Sequence, residues 1–211
     1  MRIALMNGSP KSGGSSASSS LLADLKPRLS GEVDAIEIGL HGPAVSQEQL
    51  EALGNTDAWV FSCPLYVDGL PAHLLSCLVQ LEQAGWQHRG IRIYGIVNCG
   101  FYEGIQAESA LALLRNWCAK AGFVWCGGIG VGGGGGLGQM PEARNGHGPK
   151  GPIDKALVEL ADKILRCETQ ENVYVSVAFP RFLYKAAAQM GWRWTIKANG
   201  GKAKDLGKQP D

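Results

Sequence analysis

The sequence lacks the features that mark several classes of protein. Its formal net charge is only +1 at pH 7, so no overall field favours nucleic acid as a partner. No stretch approaches the roughly 20 consecutive apolar residues of a membrane-spanning helix. The first apolar run, residues 3–6, is too short for the core of a secretory signal. We therefore expect a cytoplasmic protein with no integral membrane segment and no nucleic-acid partner.

Cysteine is present, but it lacks the spacing of a metal site. The six cysteines are scattered along the chain, and no two form a Cys-x-x-Cys pair. This excludes a zinc or iron–sulfur centre of the usual spacing, and we predict free thiols and no bound metal. Cys63 and Cys99 end two predicted strands, where a redox role is an alternative, although buried structural thiols are commoner.

The bulk composition is that of an ordinary globular protein. The chain has 211 residues, of which 45% are hydrophobic and 18% charged, enough for one domain with a sizeable core. The charge is unevenly spread. From Arg181 onward there are seven basic and two acidic residues, whereas the remainder has 13 basic and 17 acidic. A basic C-terminal segment therefore follows a mildly acidic body.

The first twenty residues predict an anion site. A short apolar strand, residues 2–6, is followed by a segment rich in Ser and Gly and then by a leucine-bearing helix, residues 21–29. Backbone N–H groups, hydroxyls and the helix N-terminus would converge on a phosphate. The candidate ligands in this segment, residues 9–18 (loop 1), are Ser9, Lys11, Ser15, Ser16 and Ser18. The alternative is a flexible linker, which fits poorly between a strand and a helix.

The rest of the body alternates strand and helix. The predicted strands are residues 2–6, 33–38, 57–63, 91–97 and 123–131, and the predicted helices are residues 21–29, 46–53, 72–84, 105–121 and 153–167. This pattern predicts an α/β, flavodoxin-like three-layer sandwich with a five-stranded parallel sheet in the order 2-1-3-4-5. Its ligand would lie at the carboxyl ends of the strands, where the order switches between the first and third.

Two further loops follow the third and fourth strands and suit a flat ring. Residues 64–69 (loop 2) carry Tyr66, and residues 98–104 (loop 3) carry aromatics, a carboxylate and glycines. The predicted cofactor-binding residues are Pro64, Leu65, Tyr66, Val67, Asp68 and Gly69 in loop 2, and Asn98, Cys99, Gly100, Phe101, Glu103 and Gly104 in loop 3. A phosphate at one end and a planar ring at the other indicate flavin mononucleotide, FMN. The alternatives are that Tyr66 and Phe101 are core aromatics and that Glu103 is a helix N-terminal acid.

These segments resemble those of the flavodoxin-like NAD(P)H-dependent FMN reductases and quinone reductases. The resemblance covers about residues 1–170 and rests on Asn-Gly-Ser-Pro-Lys at 7–11, Pro-Leu-Tyr-Val-Asp-Gly-Leu-Pro at 64–71 and Asn-Cys-Gly-Phe-Tyr-Glu-Gly at 98–104. In loop 1, Ser15 stands where the family often has asparagine.

The resemblance implies a reaction. Hydride would pass from NAD(P)H to N5 of bound FMN and then to a quinone, a free flavin or another small acceptor, with no catalytic side chain. The alternatives are a flavodoxin-type electron carrier and a flavin- or nucleotide-sensing module without turnover. A simple carrier does not need the long loop at 132–152 or the C-terminal extension.

A glycine tract carries a pattern that we reject as a nucleotide site. Residues 128–133 match Gly-x-Gly-x-x-Gly after a strand, but more glycines and a proline follow where the Rossmann fingerprint requires a helix. The long segment 132–152 is predicted to be a structureless loop that borders the flavin and gates the second substrate. One alternative places this loop across a dimer interface.

Residues 171–211 form a predicted amphipathic, basic extension that packs on the same domain or on a partner subunit. A helical pattern starts after Pro180, is expected to break at Gly191, and gives way to alternation over 192–197. Three interpretations stay open: a dimer arm, a peripheral membrane anchor, or a device that steers anionic NADPH. We favour the dimer arm and therefore predict a homodimer or higher homo-oligomer.

Overall fold

The computed structural model describes residues 1–13, 16–29, 31, 33–86, 89–139 and 147–208. By internal contacts the chain divides into two units, Met1–Val177 and Ala178–Asp211. The strands of the first unit are β1 Arg2–Asn7, β2 Asp34–Gly39, β3 Ala58–Pro64, β4 Arg92–Asn98, β5 Val124–Val131 and β6 Val173–Val175. Its helices are α1 Ala17–Leu29, α2 Gln47–Gly54, α3 Ala72–Gln83, α4 Glu108–Ala121 and α5 Gly151–Leu165.

All the strands pair in parallel to form one sheet in the order β2-β1-β3-β4-β5-β6. The predicted order of the first five strands is confirmed, but the predicted number of strands is wrong. β6 adds a sixth strand by pairing with β5, with Tyr174 opposite Gly130. At three residues, β6 is shorter than the runs that periodicity detects. It also lies beyond residue 170, so the sheet extends into the predicted C-terminal extension.

The sheet is buried on both faces, as parallel sheets with crossover helices are. One face packs a continuous core against α2, α3 and α4, in which Met6 and Phe61 contribute from β1 and β3. The neighbouring residues Leu5 and Val60 are equally buried but lie outside this core cluster, because successive strand residues point to opposite faces. On that second face α1 packs against α5.

Local start signals explain where several helices begin. Ser46 caps α2 with a capping box, since its hydroxyl accepts the N–H of Gln49 at 3.2 Å and the Gln49 side chain accepts the N–H of Ser46 at 2.9 Å. Pro71 immediately precedes α3. α1 begins at Ala17, four residues before the leucine-bearing segment from which it was predicted.

The segment 132–152 is not structureless throughout, which corrects that prediction. Gly134–Gln139 is a 3₁₀ helix, and α5 already begins at Gly151. Residues 140–146 of the segment lie outside the described residues.

The second unit contains α6, Arg181–Ala198, and a 3₁₀ helix, Ala203–Gly207. The predicted break at Gly191 is wrong, because α6 continues through it for seven more residues. A single glycine costs a helix only about 1 kcal/mol relative to alanine and does not remove a backbone hydrogen bond as proline does. The apparent alternation over 192–197 is therefore part of a helix of 18 residues.

Candidate functional site

The three predicted loops follow three adjacent strands at one edge of the sheet. β1, β3 and β4 are neighbours in the sheet, and loops 1, 2 and 3 leave their carboxyl ends. The register places Asn7 opposite Ser62 and Pro64 opposite Asn98. The backbone N–H of Leu65 also donates to the carbonyl of Asn98 at 2.8 Å. The fold thus brings the three loops to one place, as the strand order predicted.

Asn98 of loop 3 is bonded through one buried side chain to loop 1 and to the end of β3, just before loop 2. Its amide nitrogen donates to the Ser18 hydroxyl at 2.8 Å and to the Cys63 carbonyl at 3.0 Å. The Ser62 hydroxyl donates to the Ser18 carbonyl at 3.0 Å, which ties β3 to the start of α1. Asn98 and Ser18 are 5% and 1% exposed. Both residues are among the predicted cofactor ligands. The structure buries their side chains at the floor of the site, beneath the exposed parts of the loops.

Loop 1 is fixed by its own polar groups. The Ser9 N–H donates to Asn7 Oδ1 at 3.1 Å, and His41 Nδ1 donates to the Ser9 carbonyl at 2.7 Å. Lys11 is exposed, and its N–H lies 3.4 Å from the Ser9 hydroxyl. Nδ1 of His41 must carry a hydrogen in this bond, because a carbonyl can only accept. Ser15 lies outside the described residues.

The start of α1 carries a reciprocal cap. The Ser16 hydroxyl accepts the N–H of Ser19 at 3.0 Å, and the N–H of Ser16 donates to the Ser19 hydroxyl at 2.8 Å. Ser16 therefore serves the helix directly, as an N-cap does. The N–H groups of Ala17 and Ser18 have no helical carbonyl to reach, since they lie in the first turn. These are the groups that a phosphate at this helix N-terminus would meet.

Loop 2 is a tight turn that presents its tip to solvent. Tyr66 and Gly69 exchange two backbone hydrogen bonds, at 2.9 and 3.0 Å. Val67 and Asp68 between them have φ of 47° and 57°, as a type I′ turn requires of its two central residues. The turn is anchored by the Ser109 hydroxyl, which donates to the Asp68 carbonyl at 2.6 Å. Tyr66 is 49% exposed, so it is not a core aromatic.

Loop 3 is exposed at its middle and packed at its ends. Phe101 is 57% exposed, which also excludes a core role for it, whereas Cys99 is buried. Gly104 has no room for a side chain, because a Cβ there would lie 2.3 Å from the Val175 carbonyl. Its N–H donates to the Ser176 hydroxyl at 3.2 Å. Glu103 precedes the 3₁₀ helix Gly104–Ala107, the position that the helix-acid alternative predicted.

The start of the glycine tract lies against loop 3. The N–H of Gly133 donates to the Phe101 carbonyl at 2.6 Å, and the N–H of Gly134 donates to the Cys99 carbonyl at 2.7 Å. The earlier glycines serve close packing, since a Cβ on Gly128 would lie 2.6 Å from the Gly95 carbonyl. The glycines of the Gly-x-Gly-x-x-Gly pattern thus pack closely against neighbouring backbone, in agreement with our rejection of the pattern as a nucleotide site.

The two cysteines beside the site are poor nucleophiles. Burial raises the pKa of the Cys63 thiol to about 12. Burial also raises the pKa of Cys99, an effect that a hydrogen bond to the Phe101 backbone partly offsets. At neutral pH both are protonated thiols, which lack the reactivity of a thiolate. The structural interpretation of Cys63 and Cys99 is favoured over a redox role.

A cavity of about 330 Å³ lies beside loop 1, on the side away from loops 2 and 3. It opens between α1 and the edge strand β2, and its polar lining includes Ser19, His41 and the Lys26–Glu37 ion pair. No residue of loops 2 or 3 lines it. This cavity is therefore distinct from the surface where the exposed rings lie.

Some residues that shape the site gave no signal in the sequence. His41 positions loop 1 across 32 residues of chain, and Ser176 binds loop 3 across 72. Neither belongs to a motif. If β6 were long enough to be predicted from the sequence, its pairing with β5 would have placed Ser176 beside loop 3.

Comparison with solved structures identifies the architecture. An NADH:FMN oxidoreductase in its apo form superposes with a TM-score of 0.59 at 13% identity, covering 81% of this chain and 91% of its own. The Trp repressor binding protein of Bacillus subtilis gives 0.55 at 16%, covering 77% and 97%. A flavodoxin, WrbA-like protein from Agrobacterium tumefaciens gives 0.52 at 16%, covering 80% and 98%. The fold is flavodoxin-like.

At these identities the likeness establishes the flavodoxin-like fold alone. No protein-family model matches the sequence, and no curated protein matches it significantly. Within the described residues, no helix of this flavodoxin-like chain is long and apolar enough to cross a membrane. The same residues contain no group of three or more His, Cys, Asp or Glu side chains that could hold a metal ion.

Proposed function

We propose that the protein is an FMN-dependent oxidoreductase that uses NAD(P)H to reduce a quinone, a flavin or another small acceptor. The observation that carries the proposal is the arrangement of loops 1, 2 and 3 on one edge of the sheet. Tyr66 and Phe101 expose their rings there, next to the N-terminus of α1. The floor beneath them is closed by the hydrogen bonds of Asn98. A ligand with an anionic end and a planar ring fits this arrangement.

The residues of the three loops divide the work of binding. The first N–H groups of α1, with Lys11 nearby in sequence, would hold the phosphate. Tyr66 and Phe101 would cover the ring and exclude water from it. When bound, FMN accepts hydride at N5 and passes electrons to the second substrate. We assign no acid–base role to a side chain, because the protein's part is to bind and orient.

The names of two structurally similar proteins agree with the proposal. One similar protein is named as an NADH:FMN oxidoreductase, and another as a flavodoxin. We propose NADH or NADPH as the donor, a cytoplasmic location and a homodimeric assembly, which sedimentation would test. We also propose that the segment 132–152 gates the second substrate, since Gly133 and Gly134 already contact loop 3. Unchanged limited proteolysis of that segment on adding NADPH would contradict the gating role.

The first test is whether the purified protein binds FMN. We expect a yellow protein, or an initially colourless one that takes up added FMN with quenching of flavin fluorescence. Failure to bind FMN would overturn the proposal. FMN binding without reduction by NADPH or NADH would favour the electron carrier or the sensing module.

A matched pair of cap variants tests where the phosphate binds. Ser16→Ala and Ser46→Ala each remove a helix cap, and each is expected to cost about 1 kcal/mol of stability. Only Ser16→Ala should weaken FMN binding. Riboflavin, which has no phosphate, should bind equally to both variants. Equal FMN affinity in the two variants would show that the Ser16 hydroxyl takes no part in holding the phosphate and would leave the fold assignment untouched.

A further inference from the structure

Helix α6 carries basic charge of one sign along one stripe. Arg181, Lys185, Arg193 and Lys197 follow a spacing of four, with Gln189 completing the series, and α6 contains no acidic residue. Residues four apart are neighbours on a helix surface, but each step also turns by about 40°, so the stripe winds through about 160° from Arg181 to Lys197. Like charges at that spacing repel each other and destabilise a helix unless anions lie opposite. An anionic partner would relieve that repulsion.

An apolar arc follows this stripe around α6, with Lys197 at its border, about 20° from Met190. Leu183, Met190 and Trp194 fall within about 40° of one another on the helix, since their spacings of seven and four return to the same side. They are 42%, 59% and 78% exposed, and no residue of α6 is buried. Large apolar side chains that are exposed together indicate a surface that binds a membrane or another molecule.

We propose that α6 lies in the surface of an anionic lipid membrane. The apolar arc of Leu183, Met190 and Trp194 would enter the boundary of the acyl chains, and the basic stripe would meet the lipid phosphates. Lys202 and Lys204 continue the basic charge, whereas Lys208 pairs with Asp205, the lone acidic residue in 181–208, at 3.0 Å. The helix lies on the membrane and does not span it. This inference stands independently of the proposed redox function.

The composition of the helix favours lipid over a second copy of the chain or a nucleic acid. Lysine is depleted at protein–protein interfaces, yet five of the seven basic residues in 181–208 are lysine. A mixed-charge protein surface would also call for acidic residues on α6. A nucleic acid would meet the basic stripe but leave the apolar arc exposed. An anionic membrane accommodates the apolar arc together with the basic residues that flank it, and Trp194 suits the headgroup region.

The test uses the full-length protein and vesicles. We expect it to co-sediment with vesicles of phosphatidylcholine mixed with phosphatidylglycerol, but weakly with phosphatidylcholine alone. Binding should fall as salt rises, because the surface potential is screened. Lipids brominated along their acyl chains should quench tryptophan fluorescence in the wild type and less in Trp194→Gln. Absence of binding to the anionic vesicles at low salt would overturn the proposal.

Matched charge variants locate the binding surface. The variant with Lys185→Gln, Arg193→Gln and Lys197→Gln should bind anionic vesicles on the order of 100-fold more weakly. The control, Arg89→Gln with Arg115→Gln and Lys155→Gln, removes the same charge from exposed positions of the first unit and should bind as the wild type does. Circular dichroism checks that both variants fold. Equal binding by the two variants would contradict the assignment to α6.

A second copy of the chain is the competing occupant. Leu183→Gln with Met190→Gln should abolish vesicle binding and leave the sedimentation of the lipid-free protein unchanged. If that variant instead converts an oligomer into monomers, α6 is a subunit interface and the membrane proposal is wrong.

Discussion

The carboxyl edge of the sheet has a buried layer and an exposed layer that do different work. The buried layer consists of Ser18, Ser62, Cys63 and Asn98, whose polar groups bond to one another. The exposed layer consists of Tyr66, Val67, Asp68 and Phe101, which lie at the tips of loops 2 and 3. Variants in the first layer should therefore change folding stability, and variants in the second should change ligand affinity.

The largest effect is expected at Gly104, beneath the exposed layer. In Gly104→Ala the new Cβ would lie 2.3 Å from the Val175 carbonyl and 2.5 Å from that of Gly130, so the backbone must shift. We expect a loss of about 3 kcal/mol in the free energy of unfolding, measured by urea denaturation. Gly100→Ala in the same loop is the control, because its Cβ meets nothing within 4 Å. Similar losses of stability in the two variants would contradict the close packing around Gly104.

The next effect belongs to Asn98. Asn98→Ala leaves the Ser18 hydroxyl and the Cys63 carbonyl without their donor in a buried place, at an expected cost of about 2 kcal/mol. Asn55→Ala removes an exposed amide bonded to the Glu51 carbonyl and should cost less than about 0.5 kcal/mol. A stable Asn98→Ala protein that has lost FMN affinity would show that Asn98 binds the ligand directly.

A smaller effect comes from pH and tests the burial of Cys63. Its pKa in the folded protein is about 12, above the 9.0 of an exposed thiol. The unfolded chain therefore loses this proton first, and stability falls as pH rises from about 9 toward 12. At pH 10 the expected loss from Cys63 is on the order of 1 kcal/mol relative to pH 8. Under reducing conditions, the stability of Cys63→Ala should fall less than that of the wild type between pH 8 and pH 10, by the same amount. An unchanged pH dependence of stability would contradict the burial of Cys63.

The smallest change in stability should accompany a change in affinity. Tyr66→Ala removes a half-exposed ring and should alter the free energy of unfolding by less than about 0.5 kcal/mol. FMN affinity should fall by roughly 3- to 10-fold, as expected for the loss of one aromatic contact. Phe182→Ala, an exposed ring of α6, is the control and should leave FMN affinity unchanged. Fluorescence titration measures both, and equal affinities would remove Tyr66 from the site.

The sequence revealed the site at the level of loops rather than side chains. The buried strands 57–63 and 91–97 alternate with helices, and that order alone places loops 1, 2 and 3 together. The sequence predicts Ser18 and Tyr66 equally as ligands. It does not show that the side-chain amide of the distant Asn98 bonds to the Ser18 hydroxyl. The contact of His41 with Ser9 was likewise invisible, since it depends on how β2 and β1 pair.

The C-terminal unit shows the opposite case, in which local pattern misled. Gly191 and the alternation after it predicted a break, but α6 remains helical there. No proline interrupts the segment, and Met190 and Trp194 keep a helical spacing across the glycine. A helix of this length gathers Arg181, Lys185, Arg193 and Lys197 into one stripe, which two shorter elements would not do.

The redox assignment is tested most directly by anaerobic reduction of the FMN-loaded protein with NADPH deuterated at the transferred position. We predict that the flavin absorbance bleaches more slowly with the deuterated than with the ordinary nicotinamide, and that a quinone restores it. Deuterium slows the step because the bond to hydrogen breaks during hydride transfer. Bleaching no faster than that of free FMN, with either NADPH or NADH, would contradict the proposed function.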